Sequence, residues 1–257
     1  MRFFIESIGV LAPGLSGWED TRAVALGEKP LVCTPLSPPA PQCLPAAERR
    51  RSGVTARLAI AAAEQALAGS SIAADRLSMV FAASEAAGEI THQLCEVLAG
   101  TREVSPTTFH NSVHNAPMGY LSIAIGARRS GTSICRGPWT LAAGLVCSAL
   151  ELEATREPVL FACYDSPLAP PMRASLPVVE PTALAFVLSA ARTERTIAEC
   201  AIASVPSAGE PRWPAWVPEA WRPNPSALGF IVLAALAAPG GSARVPLAPD
   251  QDLEIRC

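Results

Sequence analysis

The chain has 257 residues, half of them hydrophobic and only 17% charged, a balance opposite to that of a disordered segment. Its net charge of −3 leaves no basic surplus to neutralise phosphates, which excludes generic nucleic-acid binding, and its longest apolar run, Leu228 to Ala238, is too short to cross a bilayer. A mean hydropathy of +0.28 without a membrane span predicts a globular core plus apolar surface that a partner covers.

Phe3 to Leu11 reads as a strand closed by Ala12-Pro-Gly, and Gly17 to Gly27 as a short helix. The apolar patch interrupted by Glu6 lacks the charged start, long apolar stretch and cleavage site of a signal peptide, so a cytoplasmic location is expected. Leu31 to Pro45 is proline-rich and cannot be regular. Glu48 to Leu67 is the clearest helix, with Val54, Leu58, Ala61, Ala62, Gln65 and Ala66 at helical spacing. Its alanines allow very close packing against a neighbour. Leu77 to Ala83 reads as a buried strand, Glu89 to Ala99 and Ala116 to Ile125 as helices, and Thr132 to Arg136 as a short strand. Thr140 to Ala154 is a long, almost wholly apolar helix and hence central. Pro158 to Tyr164, Pro181 to Ala191 and Ala198 to Val205 are strands, and residues 206–225 form a Pro/Trp-rich loop. Ser226 to Ala238 fits a helix or a strand equally. Ala243 to Leu247 and Leu253 to Arg256 are short strand candidates. Strands alternating with helices predict an α/β layered fold, and strands without polar alternation fit a sheet covered on both faces. One domain over residues 1–257 is expected.

Several stretches could carry chemistry. The eight cysteines (33, 43, 95, 135, 147, 163, 200 and 257) are scattered without a CxxC pair and read as mostly buried small hydrophobes rather than a disulfide framework or zinc site. His110 and His114 are four apart, the spacing of a zinc pair on one helix face. The Glu that should follow the first His is Asn111, however, and Pro106 and Pro117 bracket the segment. A structural loop in which His110, Asn111, His114 and Asn115 satisfy backbone groups is the favoured reading. Gly131-Thr-Ser-Ile-Cys-Arg-Gly-Pro-Trp-Thr-Leu reads as strand, sharp turn and helix start, an arrangement that can present a nucleophile at the positive end of a helix. Arg49-Arg-Arg-Ser fits a solvated helix start or a docking patch for an acidic partner. Trp213, Trp216 and Trp221 fit a contact surface or a lid over the core.

These stretches together resemble the N-terminal half of a β-ketoacyl synthase of the thiolase-like superfamily. The opening Gly9-Val-Leu-Ala-Pro-Gly is similar to that family's first strand and turn, and Arg57-Leu-Ala-Ile-Ala-Ala-Ala-Glu-Gln-Ala-Leu to its early alanine-rich helix. Ser105-Pro-Thr-Thr-Phe-His-Asn-Ser-Val-His-Asn, Gly119-Tyr-Leu-Ser-Ile-Ala and Tyr164-Asp-Ser-Pro-Leu are closer to a short branch, the chain-length factors of aryl-polyene and xanthomonadin-type pigment pathways. The resemblance is strongest over residues 1–190. It implies a thiolase-like layered fold, with a mixed sheet covered by helices.

The resemblance also implies where chemistry should be. A working synthase carries its nucleophile in a pattern like Thr-Ala-Cys-x-Ser-Gly at the start of the central helix, and laying it on Trp139-Thr-Leu-Ala-Ala-Gly puts Leu141 at the cysteine's position. Leucine cannot form a thioester. The two late histidines of the family are missing, since His92, His110 and His114 all lie before residue 115. The implied function is a non-catalytic, chain-length-factor-type subunit paired with a full-length β-ketoacyl synthase and visited by acyl carrier protein, with no cofactor and no metal. Thr132, Ser133, Ile134 and Cys135 would lie at the partner interface, and Trp139, Thr140, Leu141 and Leu145 beside the acyl tunnel. The competing reading is an enzyme in its own right, either an acyltransferase using Cys147 or a His110/His114 metal hydrolase.

Overall fold

A computed structural model describes residues 1–37, 39–85 and 87–257. In chain order the elements are β1 (Arg2–Ala12), β2 (Leu15–Ser16), α1 (Trp18–Ala25), α2 (Ala46–Arg51), α3 (Val54–Gly69), β3 (Ser78–Ala82), α4 (Gly88–Ala99), α5 (Pro106–Asn111) and α6 (Ala116–Ala124). They continue as β4 (Gly131–Ile134), α7 (Thr140–Thr155), β5 (Val159–Asp165), α8 (Pro170–Arg173), β6 (Thr182–Ser189), β7 (Ala198–Pro206), α9 (Gly229–Ala237), β8 (Ser242–Ala248) and β9 (Gln251–Arg256).

Among the described residues the strands form one nine-stranded mixed sheet, ordered β4-β3-β5-β6-β1-β7-β9-β8, with β2 paired to the end of β1. β4, β3 and β5 run parallel, joined by helical crossovers, whereas the pairs from β5 to β8 are antiparallel. Alternate residues of each central strand feed opposite cores. Met79, Phe81, Leu160, Ala162 and Tyr164 pack under α3 and α6, while Val80, Ala82, Phe161 and Cys163 pack under α7 and α9. Every residue of β3, β5 and β6 is buried, which is why these strands show no polar alternation.

The alanine face of α3 allows the close approach expected of it. A Cβ on Gly9 of β1 would stand 2.0 Å from the Ala62 carbonyl oxygen, so helix backbone rests directly on strand backbone there. On the other face, a Cβ on Gly144 of α7 would meet Phe161 at 2.6 Å and the Ala82 methyl at 2.9 Å. This glycine seats the central helix in the groove between β3 and β5.

The structure departs from the sequence pattern at four places. The helix expected over Glu48 to Leu67 is two helices, because Ser52 and Gly53 are extended (ψ 138° and 162°) and turn the chain between α2 and α3. His110 and Asn111 lie not in a loop but in the last turn of α5, which Ser105 caps by accepting the Thr108 N–H. Ser226 to Ala238 resolves into a 3-10 turn, Pro225–Leu228, followed by α9. Asn224 opens that turn by accepting the Ser226 N–H, and α9 is apolar on all sides because it is buried on all sides. The fourth departure is α8, which has no apolar periodicity to announce it. The tryptophan loop lids the core: Trp221 and Trp216 stack about the Phe230 ring of α9 at 5.2 and 5.5 Å.

Candidate functional site

The three parallel strands end together, with Ala82 opposite both Ile134 and Cys163. Their carboxyl ends, where open α/β sheets bind ligands, meet the start of α7. The turn between β4 and α7 is built by Gly137 at φ 53° and by Thr140, whose hydroxyl donates to the Gly137 carbonyl (2.7 Å) and accepts the Arg136 N–H (2.9 Å). The Arg136 guanidinium lies over the Trp139 ring at 5.8 Å.

Thr140 and Leu141 occupy the first turn of α7, and both are fully buried. Leu141 belongs with Ala142, Leu145, Val80 and Phe161 to the core under that helix. Beside Thr140, whose hydroxyl is spent on the turn, Leu141 thus offers a hydrocarbon with nothing to donate, accept or ionise. Cys147 lies two turns further in. Burial and the neighbouring Glu151 carboxylate both push its thiol pKa up, away from the thiolate a nucleophile needs. Cys135, just past β4, is exposed and donates its thiol to the Ser84 carbonyl (2.9 Å).

The two histidines do not share a helix face. His110, on α5, packs edge-on against Tyr120 at 5.8 Å, whereas His114, in the turn after α5, lies 3.3 Å from the Ala83 carbonyl. Among the described residues no group of three His, Cys, Asp or Glu side chains could hold a metal ion. Asn111 accepts the Tyr120 hydroxyl through Oδ1 (2.9 Å) and donates Nδ2 to the Arg51 carbonyl (2.7 Å), tying α5 and α6 to the end of α2. Asn115 is the residue before α6 and makes no side-chain cap.

One buried group at these strand ends was not among the expected site residues. Asp165 ends β5 and is enclosed; its Oδ1 accepts the Ser84 N–H (2.8 Å) and hydroxyl (2.7 Å), and its Oδ2 accepts the Ser226 N–H (3.1 Å). Burial raises its pKa to about 6, against the pull of those hydrogen bonds. Ser226 in turn bonds Thr182 and Asn224, so the network fastens α9's lead-in turn to the strand ends. A single acid closing the apolar run Val159 to Tyr164 is the signal that could have found it.

The opposite flank of the site is the sheet edge. In β4, Gly131 and Thr132 are exposed, Ser133 and Ile134 half-buried, and Ser133 Oγ is buried without a hydrogen-bond partner. Helices α6 and α7 flank this strand on its two faces, and each carries an exposed aliphatic side chain, Ile123 at 83% and Leu150 at 54%. Phe109 on α5 and Val113 in the turn after it are also exposed.

Sheet, crossovers and helix start together form the thiolase-like fold. The sequence matches the family described as Beta-ketoacyl synthase, N-terminal domain, over residues 24–214, so the chain belongs to that family. Among solved structures it is similar, over all of both chains, to a chain in the complex of a ketosynthase (ApeO) with its chain length factor (ApeC) from Xenorhabdus doucetiae, at 21% identity and TM-score 0.76. It is also similar to a chain of the ishigamide ketosynthase/chain length factor, at 12% identity and TM-score 0.73, covering 100% of this chain and 99% of that one. A β-ketoacyl synthase from Burkholderia phymatum matches at 14% identity and TM-score 0.61, over 92% of this chain and 70% of that one. These likenesses are of fold. No curated protein sequence matches the chain. No helix among the described residues is long and apolar enough to cross a membrane.

Proposed function

We propose that the chain is a non-catalytic, chain-length-factor-type subunit that pairs with an active β-ketoacyl synthase and bounds the cavity holding its growing acyl chain. The observation that carries this reading is Leu141. The family's fold is kept, down to the turn and helix start that would present a nucleophile, yet the side chain there is an enclosed hydrocarbon. An acyl thioester needs a sulfur at that point, and Cys147 is both deep in the helix and held as a thiol. The neighbours that are complexes of a ketosynthase with its chain length factor support the same pairing, as do the exposed apolar side chains of α5, α6 and α7.

In this reading Thr132 to Cys135 lie at the partner interface. Trp139, Thr140, Leu141 and Leu145 set the cavity's limit by the volume they fill. Acyl carrier protein reaches the complex in the cytoplasm, delivers substrate to the partner and leaves. The product is a polyene or polyketide chain of the aryl-polyene kind.

Co-expression with a full-length β-ketoacyl synthase tests the proposal. After incubation with acyl-carrier-protein thioesters, mass spectrometry should find the acyl group on the synthase and none on this chain. The variant Leu141→Cys should also stay unlabelled in isolation, because the family's other catalytic groups are not supplied by this chain. An acyl group on Cys147, or condensation by the isolated chain, would overturn the reading.

A further inference from the structure

Cys200 sits on β7, and Cys257 lies one residue past β9. These strands pair antiparallel with Ala201 opposite Arg256, which brings the two cysteines directly across from each other. The Cys257 N–H bonds the Gly241 carbonyl on the β8 side (2.9 Å), so its backbone sends no hydrogen bond toward β7. That is the non-hydrogen-bonded kind of cross-strand pair, in which Cα atoms approach to about 4.5 Å and side chains are closest. The two sulfurs are 3.0 Å apart. Strand spacing of this kind falls within the range a disulfide spans, so bridging needs no rearrangement of the sheet. Among the described residues no other two cysteine sulfurs touch.

The two thiols differ in the way a reactive pair requires. Cys200 is fully buried, whereas Cys257 is half-buried and lines a cavity of about 370 Å³ with Trp18, Arg22, Leu236 and Pro239. A small oxidant therefore meets Cys257 first. The hydrogen bond between the two sulfurs lowers the pKa of Cys257 and raises that of Cys200.

We propose that Cys200 and Cys257 are a redox-modification site, closed to a disulfide by hydrogen peroxide and reopened by a thiol reductant. The Cys257 thiolate attacks one peroxide oxygen; the S–O bond forms as the O–O bond breaks, and the departing hydroxide takes a proton to become water. The Cys200 sulfur then gives up its proton and attacks the Cys257 sulfur. The S–S bond forms, the S–O bond breaks, and the second oxygen leaves as water with that proton. The two thiols lose two electrons and the peroxide gains them. The bridge ties β7 to the β8–β9 hairpin at the side of the sheet away from β4, so it acts on this chain without touching the face read above as the partner's.

Peroxide treatment of the full chain, followed by alkylation in denaturant and tandem mass spectrometry, tests the site. The expected product is a dithiothreitol-sensitive peptide pair joining Cys200 to Cys257, lighter than the reduced pair by two hydrogens. It should be lost completely in both Cys200→Ser and Cys257→Ser. Oxidation should raise the unfolding temperature of the natural sequence and leave that of Cys257→Ser unchanged. If Cys200→Ser does not fold, Cys257→Ser, altered at a half-buried position, carries the test. Both thiols remaining alkylatable, Cys257 oxidised to a sulfinic acid with Cys200 still free, or either cysteine linked to a different one would overturn the proposal.

Discussion

A carboxyl group enclosed as Asp165 is does not titrate like one in water. Its ordinary value of 3.8 is raised to about 6 because burial disfavours the charged form more than three hydrogen bonds favour it. With the folded value above the unfolded one, the stability gained from the protonated acid is fully present below pH 3.8 and is lost as pH rises through about 6. A shift of about two units corresponds to roughly 3 kcal/mol across that window. Asp165→Asn should remove this component, so that urea midpoints of variant and natural chain diverge between pH 4 and 6.5, about the span of the titration. Parallel slopes in the two chains would mean that Asp165 is ionised throughout. The acid was visible in the sequence as the polar end of an apolar run, but its partners were not. Ser84 and Ser226 lie 81 and 61 residues away and carry no pattern of their own. Leu141 is the reverse case: the resemblance singled it out on the sequence, and the fold shows that its side chain is buried.

Elements follow the same division between local and distant information. Strands β3, β5 and β6 and helices α3 and α7 were legible because each has a composition that only one environment suits. What could not be read is where two distant segments touch. The alanines of α3 announce close packing, yet only the fold shows that Gly9, more than fifty positions earlier, receives the Ala62 carbonyl. Gly9→Val should therefore destabilise the chain by about 3 kcal/mol or more, since backbone on both sides cannot yield as a flexible side chain would. Urea unfolding measures it, and a loss below 1 kcal/mol, the scale of a tolerated swap, would show that α3 lifts from β1 without cost. The break between α2 and α3 escaped the periodic reading because apolar spacing continues from Val54 onward and nothing upstream of Ser52 contradicts it. Helix α9 escaped for the opposite reason: burial on every side erases the period that separates helix from strand.

At the scale of the whole molecule the two sheet edges are unlike. The outer strand β8 carries Arg244 and Pro246, a charge and a proline of the kind that block edge-to-edge pairing. The outer strand β4 reads Gly-Thr-Ser-Ile and carries neither. Helices α6 and α7, packed on its two sides, carry the exposed aliphatic side chains Ile123 and Leu150, apolar surface for a partner to cover. An unguarded edge with apolar flanks is costly to leave in water and useful only when occupied. Ile123→Arg and Leu150→Asp should each move a co-expressed ketosynthase and this chain from one size-exclusion peak to two, because each buries an unpaired charge at the junction. Neither should change the unfolding free energy of the isolated chain by more than about 0.5 kcal/mol, as expected of surface changes. Leu26→Arg, at an exposed position after α1 and away from β4, should leave the complex whole. If the complex survives both flanking charges but is lost with Leu26→Arg, the partner sits elsewhere, and the open edge of β4 would need another occupant.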